Sequence, residues 1–145
     1  MKAFYAGSFD PFTIGHLSIA RRALELFDSI VIGIGYNEKK RYEVTVEERM
    51  EQIRATFKDD NRVRIISYTG LTAEVAREEG TGVLVRGVRN TADFEKEKEL
   101  ADINLKVFGL PTVMIPAEPE LSYVSSSMVR ELKHFGSNQW REFLP

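Results

Sequence analysis

Short apolar or β-branched runs alternate along the chain with longer stretches in which apolar residues recur at helical spacing among charged ones. The runs occupy residues 2–6, 30–35, 63–67, 83–85 and 112–115, and their length and character suit strands of a sheet buried on both faces. Between them the pattern predicts helices over 15–27, 46–57, 71–79 and 91–108, and another over 126–135. Such alternation predicts an α/β fold, a parallel sheet covered by helices. The second helix is clearly signalled: Thr45 and Glu48 have capping-box spacing, while Val46, Met50, Ile53 and Phe57 form one apolar stripe. Asp28 and Ser29 turn the chain after the first helix, and Gly80 and Gly82 separate the third helix from the fourth strand. No linker or repeat interrupts this order, so residues 1–145 read as one domain whose short C-terminal helical segment packs through Trp140 and Phe143.

At 145 residues the chain has material for one substantial core. Its 20 Lys and Arg nearly balance 22 Asp and Glu, which gives no compositional reason to expect nucleic acid or an anionic membrane as partner. The absence of Cys removes disulfides, zinc–thiolate sites and thiol nucleophiles, and points to an intracellular, cytoplasmic setting. The first apolar segment is cut short by Gly7, Asp10 and Pro11, too early for a signal-peptide core, and no apolar run reaches the roughly 18 residues of a membrane span.

Candidate chemistry concentrates in loops. The first strand runs into GSFDPFTIGH, which puts Ser8, Asp10, Thr13 and His16 at its carboxyl end, where open parallel sheets bind ligands. Gly7 permits close backbone approach, Pro11 restrains the turn and Gly15 clears space beside a phosphate. Thr13 can cap the following helix or bind phosphate, with His16 three positions on at the same anion-binding end. The pattern suits phosphoryl or nucleotidyl transfer, where developing negative charge needs fixed donors; a turn, a cap and a packed histidine would also account for it. It matches neither the P-loop nor the dinucleotide fingerprint.

After the fourth strand, Arg86-Gly87-Val88-Arg89 offers two guanidinium groups as a phosphate clamp, with Gly87 read as a sharp turn between them. In the following TADFEKEKELADIN most lysines read as a wet helix face, but Asp93, Glu97, Leu100 and Asn104 share a mixed face suited to a ligand or a subunit contact. YNEKKRYE, residues 36–43, is a polar loop carrying positive charge, either toward a ligand or simply in solvent. Among Ser125, Ser126 and Ser127 one caps the last helix, and the others can meet phosphate at its N-terminus. His134 falls late in that helix and completes no Ser-His-Asp set. No carboxylate and histidine cluster specifies a protein-built metal site, so a metal would arrive on phosphate; Asp10 can orient such a ligand or simply form the turn.

GSFDPFTIGH, the basic loop before TVEER, RGVRNTADFEKE and SYVSSSMVR, in that order, resemble bacterial phosphopantetheine adenylyltransferases, members of the nucleotidyltransferases with a T-x-G-H or H-x-G-H signature. The resemblance implies a Rossmann-like nucleotidyltransferase domain that joins ATP to 4'-phosphopantetheine, with Mg2+ carried mainly on ATP, to give dephospho-coenzyme A and pyrophosphate. It implies a homohexamer and coenzyme A as a feedback ligand. Carried over residue by residue, it implies catalytic roles for Ser8, His16, Lys40 and Arg89. ATP would meet Ser8, Phe9, His16, Gly87, Arg89, Glu97, Tyr123 and Ser125, Ser126 and Ser127. The acceptor would meet Ser8, Lys40, Leu71, Thr72, Arg86, Leu100 and Asn104. Where many relatives follow the loop lysine with proline and an aromatic residue, this chain has Arg41-Tyr42-Glu43-Val44, and Thr72 replaces a longer apolar residue. An adenylyl- or cytidylyltransferase for another phosphorylated acceptor, and a non-catalytic nucleotide sensor, stand as alternatives.

Overall fold

The computed structural model describes residues 1–145. Its centre is a five-stranded, wholly parallel sheet of β1 (Lys2–Gly7), β2 (Ser29–Gly35), β3 (Val63–Tyr68), β4 (Val83–Val88) and β5 (Thr112–Pro116), in the spatial order β3-β2-β1-β4-β5. The connecting helices are α1 (Ile14–Leu26), α2 (Val46–Thr56), α3 (Thr72–Glu78) and α4 (Thr91–Phe108); α5 (Ser126–His134) follows the sheet, and a 3₁₀ segment, Asn138–Phe143, closes the chain. The α/β architecture expected from the alternating pattern is thus the one observed, with most ends displaced by a residue.

Strand alternation divides the core between two faces. Ala3 and Tyr5 of β1 face a cluster containing Leu17, Ala20 and Leu24 of α1 and Ile53 of α2; Phe4 and Ala6 face Ala73 and Ala76 of α3 and Leu110. Register then sets what meets at the top of the sheet. β1 pairs with β2 from Lys2↔Ser29 to Gly7↔Ile34, and with β4 through Tyr5↔Val85. Chain order reverses at β1 and β4, so their carboxyl ends open a crevice between diverging connections.

β4 corrects one expectation. It extends through Arg86, Gly87 and Val88, all paired to β5, so Gly87 lies within a strand and makes no turn. A Cβ there would stand 3.0 Å from Ile19 Cγ1 of α1, so glycine at this position allows the helix to approach the sheet. The apolar pattern broke at Arg86 because a guanidinium reads as a strand end; inside the fold Glu97 neutralises it.

Candidate active site

The crevice is a cavity of 270 Å³ walled by the β1–α1 loop, the end of β4, the first turns of α4 and the N-terminus of α5. Ser8, Phe9, His16, Gly87, Arg89, Glu97, Ser125, Ser126 and Ser127 all line it. Tyr123 does not: it is exposed and packs edge-on against Phe143, 5.9 Å between ring centroids.

His16 is held by local geometry. Thr13 caps α1, its hydroxyl accepting the His16 N–H at 3.4 Å, while the Thr13 N–H donates to His16 Nδ1 at 2.9 Å. A nitrogen that accepts an N–H carries no proton, so the neutral ring bears its hydrogen on Nε2. The ring stacks on Phe12 and meets Phe9 edge-on. Removal from bulk water, with Arg86 and Arg89 nearby, carries its pKa down from 6.5 to about 3. At neutral pH His16 is therefore an uncharged hydrogen-bond donor. Gly7 supports this aromatic cluster, since a Cβ there would fall 2.8 Å from the Phe9 ring.

Arg86 and Glu97 form the floor. Arg86 Nε and Nη2 donate to Glu97 Oε2 and Oε1 at 2.8 and 2.7 Å, and Nη1 donates to the Ala6 carbonyl at 2.5 Å. Burial opposes the Arg86 charge, but the Glu97 carboxylate, aided by Tyr5 and Tyr68, outweighs it and holds the pKa above the usual guanidinium value. Both Glu97 oxygens are thereby committed. Arg89 uses Nε and Nη2, at 2.9 and 3.3 Å, on Asp93. Opposite them, Ser125 caps α5 by accepting the Met128 N–H, Ser126 donates to the Pro11 carbonyl and Ser127 accepts from Arg130. These serines line the cavity at the N-terminus of α5, where the first N–H groups of a helix lack intrahelical acceptors.

On the other side of the Arg86–Glu97 pair lies a cleft of 330 Å³, lined by Leu71, Thr72, Leu100, Ile103, Asn104 and Phe108 together with Arg86 and Glu97 themselves. The structure thus divides the shared α4 face: Asp93 and Glu97 reach the cation-lined cavity, and Glu97, Leu100 and Asn104 the more apolar cleft. Lys40 is in neither. It lines a third hollow with Arg41, Tyr42 and Arg130, joined to the main cavity by Ser8.

Asp10 departs from its ligand-orienting alternative. Only 5% exposed, it accepts the N–H groups of Glu43 and Val44 at 3.0 and 2.8 Å. Arg49, fully buried, escaped sequence reading. It donates from Nη1 to the Ser8 carbonyl at 2.6 Å. The signal was present: Arg49 stands three residues after Val46 and four before Ile53, on the edge of the apolar stripe, but a charge at that position gives no sign of what encloses it.

Comparison with known proteins agrees with this geometry. The cytidylyltransferase-like family model matches residues 4–132. A phosphopantetheine adenylyltransferase of Phocaeicola vulgatus is 46% identical over 144 residues, covering 99% of this chain and 95% of the relative. That of Porphyromonas gingivalis is 46% identical over 143 residues, covering 99% and 93%. Among solved structures, a bifunctional NMN adenylyltransferase/ADP ribose pyrophosphatase from Francisella tularensis superposes with a TM-score of 0.74 at 14% identity, over 96% of this chain and 44% of that one. A lipopolysaccharide core biosynthesis protein from Thermoplasma volcanium gives 0.57 at 17% identity, over 81% and 96%; these two likenesses speak to fold alone. Matched almost end to end by such relatives, the chain belongs to the phosphopantetheine adenylyltransferase family, within the cytidylyltransferase-like group.

Proposed function

We propose that the protein, as one domain over residues 1–145, transfers the adenylyl group of ATP to 4'-phosphopantetheine, releasing pyrophosphate and dephospho-coenzyme A. The observation that carries this reading is the junction of two unlike hollows at Arg86 and Glu97. One is rich in fixed donors, as a polyphosphate needs; the other offers leucine, isoleucine and phenylalanine with an asparagine, as an amide-containing aliphatic arm needs.

In this reading ATP places its phosphates among His16, Arg89 and the N-terminus of α5. The acceptor lays its arm along Leu71, Thr72, Leu100 and Asn104 and its phosphate near Ser8, Lys40 and Arg86. An oxygen of that phosphate attacks the α-phosphorus of ATP, a new P–O bond forms, and the bond to the β-bridging oxygen breaks so that pyrophosphate departs with the electron pair. No side chain becomes covalently attached. The Nε2–H of His16 and the guanidinium of Arg89 act as fixed donors to phosphate oxygens as charge shifts in the transition state, and Lys40 adds a further cation. Ser8 orients and does not attack.

The donor set fits magnesium arriving on ATP and offers no cage of its own. Both Asp10 oxygens accept backbone N–H groups, both Glu97 oxygens accept from Arg86, and Asp93 faces Arg89. Bound to the polyphosphate, the ion would neutralise charge on the leaving group. No helix is long and apolar enough to cross a membrane, which accords with a cytoplasmic site of action. Phe94, Ile103, Leu105 and Val107 stand exposed on α4, as assembly into a homohexamer would use. Coenzyme A, which shares the pantetheine arm, is the expected feedback ligand.

The test is matched formation of dephospho-coenzyme A and pyrophosphate from ATP, magnesium and 4'-phosphopantetheine. His16→Ala should lower kcat far more than it raises the KM for ATP. Product from CTP, or with another phosphorylated acceptor in preference, would reassign the substrate. ATP binding without either product would leave a nucleotide sensor.

A further inference from the structure

After Lys40 the chain reads Arg41-Tyr42-Glu43-Val44, and the structure shows what Tyr42 and the backbone after it do. Tyr42 lies over the guanidinium of Arg49, 4.4 Å from Cζ to the ring centroid. Its hydroxyl accepts the Asn37 N–H at 2.9 Å, the Asn37 side chain accepts the Lys39 N–H at 3.0 Å, and the Asn37 carbonyl accepts the Lys40 N–H at 2.9 Å. Immediately after Tyr42, the loop is tied down again by the Asp10 carboxylate on the Glu43 and Val44 N–H groups.

Arg49 is the common post. One terminal nitrogen holds the Ser8 carbonyl, while the other, Nη2, is buried without a hydrogen-bond acceptor. A cation withdrawn from water in this way needs compensation, and the face of the Tyr42 ring supplies it. The arrangement therefore joins Ser8 and the lysine loop through a single guanidinium, with the Tyr42 ring as the contact on the loop side.

We infer that Tyr42 and Asp10 are positioning residues that, fastened to Arg49 and to the Glu43–Val44 backbone, hold the 37–44 loop so that Lys40 stands beside Ser8 before substrate binds. Neither touches the reacting atoms; each acts through Lys40. The inference rests on the adenylyl-transfer reading for its kinetic consequence, and on geometry alone for its structural one.

The two are separated by pairing limited trypsin digestion with kinetics. Trypsin cleaves after Lys39, Lys40 and Arg41, inside the loop. Tyr42→Ala and Asp10→Asn should each speed loop cleavage about tenfold, as expected where a desolvated cation–π contact or a paired carboxylate restrained a local opening, while the thermal midpoint moves little. Tyr42→Phe, which keeps the ring over Arg49 and loses only the Asn37 bond, should fall between, and it decides the matter if Tyr42→Ala does not fold. In turnover, Tyr42→Ala should lower kcat about tenfold with the KM for ATP nearly unchanged, and should have less than about a twofold effect in a Lys40→Ala background. Unchanged loop cleavage, or an equal kcat loss with and without Lys40, would overturn the inference. Wild-type protein that forms no dephospho-coenzyme A would overturn the functional reading instead, and the trypsin comparison would still decide the clasp.

Discussion

The protonation of His16 has a consequence that reaches beyond the active site. Its folded pKa of about 3 lies below the ordinary 6.5, so the fold favours the neutral ring. That contribution is fully present above pH 6.5 and is lost as the pH falls through 6.5 toward 3, because the unfolded chain takes up a proton that the folded protein refuses. Each pH unit below the unfolded-state value costs about 1.4 kcal/mol, so acidification to pH 5 removes about 2 kcal/mol, reduced to about 1–2 kcal/mol by the ring's open edge on the cavity. Other titrating groups contribute to the same trend, and a comparison with His16→Gln isolates this one. A glutamine can still offer an oxygen to the Thr13 N–H but cannot titrate. Urea unfolding at pH 8 and pH 5 should therefore show wild type losing about 1–2 kcal/mol more than the variant. Equal losses would refute the argument that burial, Arg86 and Arg89 keep the ring neutral. The same argument makes kcat free of any His16 limb between pH 5.5 and 8, whereas His16→Ala, which removes the Nε2–H donor, should lower kcat about 10²-fold.

Three further outcomes follow from the packing. Glu97→Ala strands the Arg86 guanidinium against the Ala6 carbonyl without its carboxylate and should cost about 2–4 kcal/mol in denaturant unfolding. Gly87→Ala pushes a methyl against Ile19, costing about 1–2 kcal/mol; the double variant with Ile19→Ala should be less destabilised than the two single changes added, as a double-mutant cycle will measure. Leu100→Ala, in the apolar cleft but outside the cavity that holds His16 and Arg89, should raise the KM for 4'-phosphopantetheine about 3- to 10-fold and leave that for ATP within about twofold, in initial-rate kinetics with each substrate varied.

Much of this molecule is legible in local pattern. The strands announce themselves because the central three, β1, β2 and β4, are largely buried and read as nearly continuous apolar runs, and α4 spans 91–108 as its spacing required because Asn90 caps it and Gly109 ends it in a left-handed conformation. The ordered motifs GSFDPFTIGH, RGVRNTADFEKE and SYVSSSMVR carry the resemblance, and a relative 46% identical over 99% of the chain shows the family. Local pattern also marks the phosphate-facing candidates, because loops at strand ends hold polar residues for which the core has no place.

Where side chains from distant segments meet, sequence falls silent. Arg86 looked like the end of a strand until Glu97, eleven residues on, accepted two of its three hydrogen bonds. Tyr123 belongs to the same segment as the three serines, yet its ring turns to Phe143 and away from the cavity. Nothing in the local pattern marks Arg49, which Ser8 and Tyr42 enclose, and Asp10 stood open between orienting a ligand and forming the turn until Glu43 and Val44 took both its oxygens. The charge on His16 was equally undetermined, since it depends on a backbone N–H and two arginines brought there by different elements. Helix and strand periodicity is a property of neighbours along the chain, so sequence determined the elements and the family. Charge compensation and desolvation depend on which groups the tertiary fold brings within a few ångströms, and only the fold decided which polar residues face the cavity and which hold it together.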